Sequence, residues 1–230
     1  TQDFLRAGDR GQVAALAAGT PGIVYTLGIH PLYVADAAPS DLDRLRAAVA
    51  AAVDDPRFVG IGEIGLDHFV PDFDAALQQQ YLDAQLRLAK DFDLPVLLHC
   101  RRALDPLLKA LRRFRVRGIA HAFNGSFQQA WALIELGCKL GFGGVATHPR
   151  ALQIRRLAAE LPLDAIVVET DAPDLSPHWR IGQRNAPDQL PAIAAEIAQL
   201  RGVPIDQLRQ QTRANSRVVL PRLAVTAPGG

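Results

Sequence analysis

Methionine is missing from all 230 residues, position 1 included, so the native start is expected to lie upstream of Thr1. Cysteine is nearly missing too: Cys100 and Cys138 sit within or beside apolar runs, which predicts reduced, buried thiols and excludes a disulfide framework. No apolar stretch approaches the roughly 20 residues that a membrane-spanning helix needs, and nothing resembles a signal peptide. A cytoplasmic protein with no membrane contact is the resulting expectation. Charge of one sign is not in excess, since 25 Lys and Arg face 24 Asp and Glu for a net +1. That balance argues against broad electrostatic capture of nucleic acid, and the local run Arg112, Arg113, Arg115, Arg117 reads as a solvated helix end. No linker, low-complexity run or composition break divides the chain, which predicts one domain over residues 1–230.

What the chain does have is hydrophobic content, 49%, enough for a sizeable core. The apolar residues alternate between short continuous runs and helical stripes. The runs Phe58 to Ile61, Pro95 to Leu98, Gly118 to Ala120 and Ala165 to Val168 read as strands buried on both faces, and Ile23 to Ile29 and Cys138 to Gly144 as two further strands. Between them come the stripes Leu42, Leu45, Val49, Val53, then Leu77, Tyr81, Ala84, Leu88, then Leu104, Leu107, Leu108, Leu111, and then Phe127, Ala130, Trp131, Ile134. Ser40, Asp188 and Asp206 are the expected helix caps, Ser126 precedes the last of these stripes, and Gly137 is the expected helix stop. The segment Thr1 to Leu5 looks helical, which leaves six strands. Repeated β and α units of this kind predict a TIM (β/α)8 barrel, which needs eight strands. Two βα units, on the order of 50 residues, are therefore expected to be absent from the N-terminal side, making the domain N-terminally incomplete.

Four of these runs end on side chains that can hold a metal: Glu63, His99, His121 and Asp171. In a parallel barrel the C-terminal ends of all strands converge on one cleft, so residues tens of positions apart can meet there. Singly, each has an ordinary structural role. A histidine in an apolar strand is most often a hydrogen-bonded core residue, and an acid at a strand end is often a cap or an ion-pair partner. Their repetition at one position in successive units is what favours a metal centre. Imidazole and carboxylate suit Zn²⁺, Mn²⁺ or Mg²⁺ alike, so one or two divalent cations are implied without fixing their identity. His30 precedes Pro31 at another strand end, and Arg101 lies two residues beyond His99; both can meet an anionic substrate oxygen. Asp67 and His68 are expected to fix the loop beyond Glu63, and His148 and His178 to lie at the rim.

The strings Gly28-Ile29-His30-Pro31, Gly62-Glu63-Ile64-Gly65-Leu66-Asp67, Leu98-His99-Cys100-Arg101, His121-Ala122-Phe123-Asn124-Gly125-Ser126 and Glu169-Thr170-Asp171-Ala172-Pro173, in this order, resemble the TatD family of metal-dependent hydrolases. The resemblance runs from about Gly22 to Leu223. It implies an amidohydrolase-type barrel and, for many members, deoxyribonuclease activity. It further implies that Glu63 bridges two metals and that His99 and His121 hold one and Asp171 the other; by its own chemistry the Asp171 carboxylate can also take the proton of the attacking water. The family's His-x-His pair at the first strand has no counterpart in this chain, in line with the strand count.

Three functions follow. The first is hydrolysis of phosphodiesters, as a 3′-to-5′ exonuclease on DNA ends or on a small phosphodiester, with no obligate protein partner. The second keeps the metals but takes a carboxylic ester, amide or lactone, which an apolar mouth around Trp179 would suit. The third is a non-catalytic barrel fragment that serves as a binding scaffold.

Overall fold

A computed structural model describes Gln2, Asp3 and residues 12–223. They gather into two compact units, one reaching Ile119 and resuming at Val219, the other spanning Ala120–Val218.

The first unit contains strand β1 (Gln2–Asp3), helix α1 (Gln12–Gly19), β2 (Tyr25–Gly28), α2 (Ser40–Ala52), β3 (Phe58–Asp67), α3 (Ala75–Asp91), β4 (Val96–Arg101) and α4 (Leu104–Phe114), and begins β5 (Gly118–Ala120). Strands β1 to β4 lie side by side in chain order, each pair parallel. Parallel neighbours cannot be joined by a hairpin, and the helices are the crossovers. Phe58, Ile61, Ile64, Leu66 and Leu98 are fully buried, as strands covered on both faces require.

The second unit holds α5 (Phe127–Glu135), β6 (Cys138–Phe142), α6 (Leu152–Glu160), β7 (Ile166–Val168), α7 (Leu190–Arg201) and α8 (Ile205–Val219). Strands β6 and β7 are again parallel. Buried Asn215 pins α8 to the start of β7 by donating to the carbonyls of Leu163 (2.8 Å) and Ile166 (2.7 Å).

Several expectations need correction. Among the described residues there are seven strands, not six, because Gln2–Asp3 pairs with Leu27 and Gly28 instead of opening a helix. A two-residue strand carries no periodicity by which to find it; Thr1, Phe4 and Leu5 lie outside the described residues. Ser40 lies in the first turn of α2 and does not cap it, whereas the Asp41 carboxylate accepts the Ala38 N–H at 2.8 Å. Asp188 falls in a short 3₁₀ turn ahead of α7, and Asp206 is inside the first turn of α8. Ser126 does stand just ahead of its helix, and with Gln129 it makes a reciprocal capping box there. Gly137, at φ 83°, follows that helix as its stop. Arg112 and Arg113 close α4, where Arg113 pairs with Asp83, so this run is the solvated helix end foreseen.

Candidate metal centre

Glu63 lies within β3, which runs on to Asp67, not at the end of the strand. It is the one β3 residue that is not buried. The register against β4 shifts between Ile61 and Ile64, and an irregularity of this kind re-aims a side chain out of the ladder. The shift is accommodated by glycine. Gly65 has φ 153°, and a Cβ there would stand 1.8 Å from the His99 carbonyl oxygen. A Cβ on Gly62 would meet the Leu97 Cβ at 2.6 Å.

Around Glu63 the first unit gathers His30 and His99, with one ligand-capable atom from each of the three residues inside a 4.8 Å cluster. His30 Nε2 is 3.7 Å from Glu63 Oε2, and the His30 and His99 rings meet edge to face at 4.4 Å. His99 Nε2 lies 2.9 Å from Oδ2 of fully buried Asp67. A carboxylate on one ring nitrogen fixes the proton there and turns the lone pair of Nδ1 outward, the orientation a metal-binding histidine needs. Burial by itself raises Asp67, but the His99 hydrogen bond, the Phe69 N–H at 2.9 Å and the charges of His99 and Arg101 outweigh it and hold the carboxyl below its ordinary value. His30 has the same tautomer, fixed from the other nitrogen: Nδ1 accepts the Leu32 N–H at 3.2 Å, so the neutral ring carries its proton on Nε2. That favours a donor facing Glu63 or a substrate oxygen.

Two glutamines of α3 hold these strand ends. Gln85 accepts from Ile29 N–H (2.7 Å) and donates to Ile29 C=O (3.1 Å), beside His30. Gln78 does the same to Asp67, at 2.8 and 3.0 Å. Each buried amide pairs with a peptide group as a further strand would.

In the second unit His121 follows β5, and its Nδ1 stands 3.7 Å from Asp171 Oδ1. Ala122 (φ 46°) and Asp171 (φ 56°) both adopt left-handed backbone, which costs a side-chain-bearing residue on the order of 1–3 kcal/mol and clusters at functional sites. Glu169 accepts the Ala122 N–H at 2.6 Å and so steadies the backbone next to His121. A Cβ on Gly141 would lie 2.1 Å from Glu169 Oε2, so glycine there makes room for this carboxylate. Buried Asn185 donates to Thr170 C=O (2.7 Å) and Asp174 C=O (2.8 Å), on either side of Asp171.

The donor chemistry fits a divalent cation. Borderline imidazole and hard carboxylate atoms come within a few ångströms of one another in each unit, and His99 carries the outer carboxylate that such ligands use. Arg101 is 3.5 Å from Asp67 Oδ2 and lies over the Phe69 ring. Cys138 is buried as expected and Cys100, adjacent to His99, only half-buried; neither is in a disulfide, and desolvation pushes the Cys100 thiol up to about 12, which keeps it out of nucleophilic chemistry near neutral pH.

A family model described as TatD related DNase matches residues 4–221. The chain belongs to the TatD family. Among TatD relatives, the Escherichia coli K12 protein YjjV, called an uncharacterized metal-dependent hydrolase, is 40% identical over 207 residues, which are 89% of this chain and 79% of that one. The Salmonella typhimurium protein called 3′-5′ ssDNA/RNA exonuclease TatD is 35% identical, covering 90% of this chain and 82% of its own. The crystal structure of YjjV superposes with a TM-score of 0.88 at 38% identity, covering 94% of this chain and 83% of that structure. An Entamoeba histolytica TatD structure shares the fold at 20% identity, with a TM-score of 0.77. The α/β fold with parallel strands is thus that of TatD-family metal-dependent hydrolases. No helix among the described residues is long and apolar enough to cross a membrane.

Sequence reasoning missed the two glutamines and Glu169. A signal for the first was present, since Gln78 and Gln85 are seven apart on the helix face shared with Tyr81 and Leu82, where polar residues are out of place.

Proposed function

We propose that this TatD chain is a metal-dependent phosphodiesterase that releases nucleotides from the 3′ end of DNA, with Glu63, His99, His121 and Asp171 as metal ligands. The observation that carries the reading is that Glu63 and His99 cluster with His30, with the cation of Arg101 two residues beyond His99: two metal-capable side chains beside a hydrogen-bond donor and a fixed positive charge suit a phosphate better than a neutral acyl group. The name of the Salmonella relative supports the same reaction.

Divalent cations, when bound, would lower the pKa of a water towards about 7 and polarise a phosphoryl oxygen. The chain's own residues do the rest. Glu63, His99, His121 and Asp171 would hold the cations. Asp171 accepts the proton of the attacking water as the water oxygen bonds to phosphorus and the P–O3′ bond breaks, the 3′ oxygen keeping that electron pair and taking a proton from solvent to end as a hydroxyl. His30 donates its Nε2 proton to a phosphate oxygen, and Arg101 offers the guanidinium fork that phosphate accepts in bidentate fashion.

The test is strand polarity. After chelation and return of Mn²⁺, Zn²⁺ or Mg²⁺, single-stranded DNA labelled at its 5′ end is expected to shorten stepwise with release of mononucleotides. Persistence of the full-length strand with every metal contradicts the reading. A second reading has an observation of its own: Trp179, Ile181 and Leu175 are exposed apolar side chains of one loop, as an acyl pocket would present. Turnover of carboxylic esters or lactones without nucleotide release would select it.

A further inference from the structure

We propose that Phe69, Arg101 and Arg102 form a stacking platform for single-stranded polynucleotide beside the His30, Glu63 and His99 cluster. The proposal rests on the phosphodiesterase reading and adds how the strand is gripped.

The platform is built by a break in strand geometry. Successive residues of a strand point to opposite faces, so Arg101 and Arg102 would diverge if β4 simply continued. The strand ends at Arg101, and Arg102 takes left-handed backbone at φ 55°, a region disfavoured for a long side chain. The result is convergence. The guanidinium carbons of Arg101 and Arg102 lie 4.0 and 4.6 Å from the centre of the same ring, that of Phe69.

Phe69 is nevertheless 48% exposed, and Phe73 is 36% exposed with its ring stacked on His68 at 4.4 Å and 14°. Two aromatic rings on one short loop are thus left open to solvent. The backbone of Phe69 is also fixed. Asp67, fully buried, accepts the Phe69 N–H through Oδ1 and meets both His99 Nε2 and Arg101 through Oδ2. One carboxylate thereby ties the platform to a metal-capable histidine.

The chemistry selects the ligand. Guanidinium forks pair with phosphate, and flat aromatic and guanidinium surfaces stack on bases in a manner tolerant of sequence. A duplex keeps its base faces buried against one another, whereas a single strand offers them. With a net charge of +1 the chain has no general field to gather DNA, so a local grip of this kind is what would hold the strand.

The test is direct binding, by fluorescence anisotropy, of the whole chain to a short single-stranded DNA in the presence of chelator. A second DNA of equal length has abasic sites at its last three 3′ positions. Phe69→Ala is expected to raise Kd about tenfold on the base-bearing strand and to change it less than about twofold on the abasic one, with Phe69→Trp restoring wild-type binding. Arg102→Ala is expected to reduce the slope of log Kd against log salt by about 0.7. Equal effects of Phe69→Ala on both strands, no effect on either, an unchanged salt slope, or no binding of single strands by the wild-type chain overturns the platform. Because binding is read without turnover, a chain that grips the strand as expected yet releases no nucleotide when metal is supplied contradicts the phosphodiesterase reading and leaves the platform standing.

Discussion

Asp67 is the residue on which the geometry of the first unit turns, since it touches His99, the Phe69 backbone and Arg101 while fully buried. Carboxylates in this position orient a metal-binding histidine, and their loss typically costs 10–100-fold in metal affinity. Asp67→Asn is therefore expected to weaken divalent metal binding by about that factor, measured by isothermal titration calorimetry. Gly65→Ala should fail more severely, because its Cβ would stand 1.8 Å from a backbone oxygen; the soluble yield and melting temperature of the variant check this. A different pH signature belongs to Tyr25, whose hydroxyl donates to Asp55 at 3.1 Å. Burial first, and then the charge and hydrogen bond of Asp55, push Tyr25 up to about 12. A raised folded-state pKa means stability fully present below the unfolded tyrosine value near 10 and lost as pH rises through about 12. Spectrophotometric titration should show one tyrosine ionising near 12, and Tyr25→Phe should remove that step and flatten the alkaline loss of stability. Asp55, held below the ordinary carboxylate value, gives the mirror image: its contribution is present above that value and fades as pH falls through the lowered one.

At the scale of elements, α3 fastens two strand ends through Gln78 and Gln85, and each bond replaces water that the buried Asp67 and Ile29 peptides cannot reach. Gln85→Leu leaves a buried N–H and C=O unpaired and is expected to cost about 2–3 kcal/mol, read from urea unfolding midpoints. Asn185→Ala acts on the loop around Asp171 in the same way, and its effect should be larger on metal affinity than on global unfolding. The elements also show what was legible beforehand. Long apolar runs gave β3 and β4, and the stripes gave α3 and α4, because burial on both faces or on one face leaves a periodic trace. Caps were less legible: Ser40, Asp188 and Asp206 are good capping residues in the abstract, but the residue that precedes each helix lies one or two positions away from where they stand. Strand β1 left no trace because two residues make no pattern.

For the molecule as a whole, TatD membership follows from a match over residues 4–221 and a solved relative at TM-score 0.88. The metal-capable residues were visible in the sequence because they recur at one place in repeated units. The structure adds His30 to Glu63 and His99, and pairs His121 with Asp171. What the sequence hid were the polar side chains that hold those residues, since a buried glutamine or glutamate declares its partner only once the backbone has folded. The central claim is that the chain cleaves phosphodiesters with bound divalent metal and with Asp171 as proton acceptor. The measurement that tests it most directly is mononucleotide release from single-stranded DNA by metal-reconstituted wild type and Asp171→Asn, with metal content assayed on the same samples. The account predicts metal-dependent release by the wild type and a loss of at least about a hundredfold in the variant; equal release by the two, or release that persists after the metal is stripped, would contradict it.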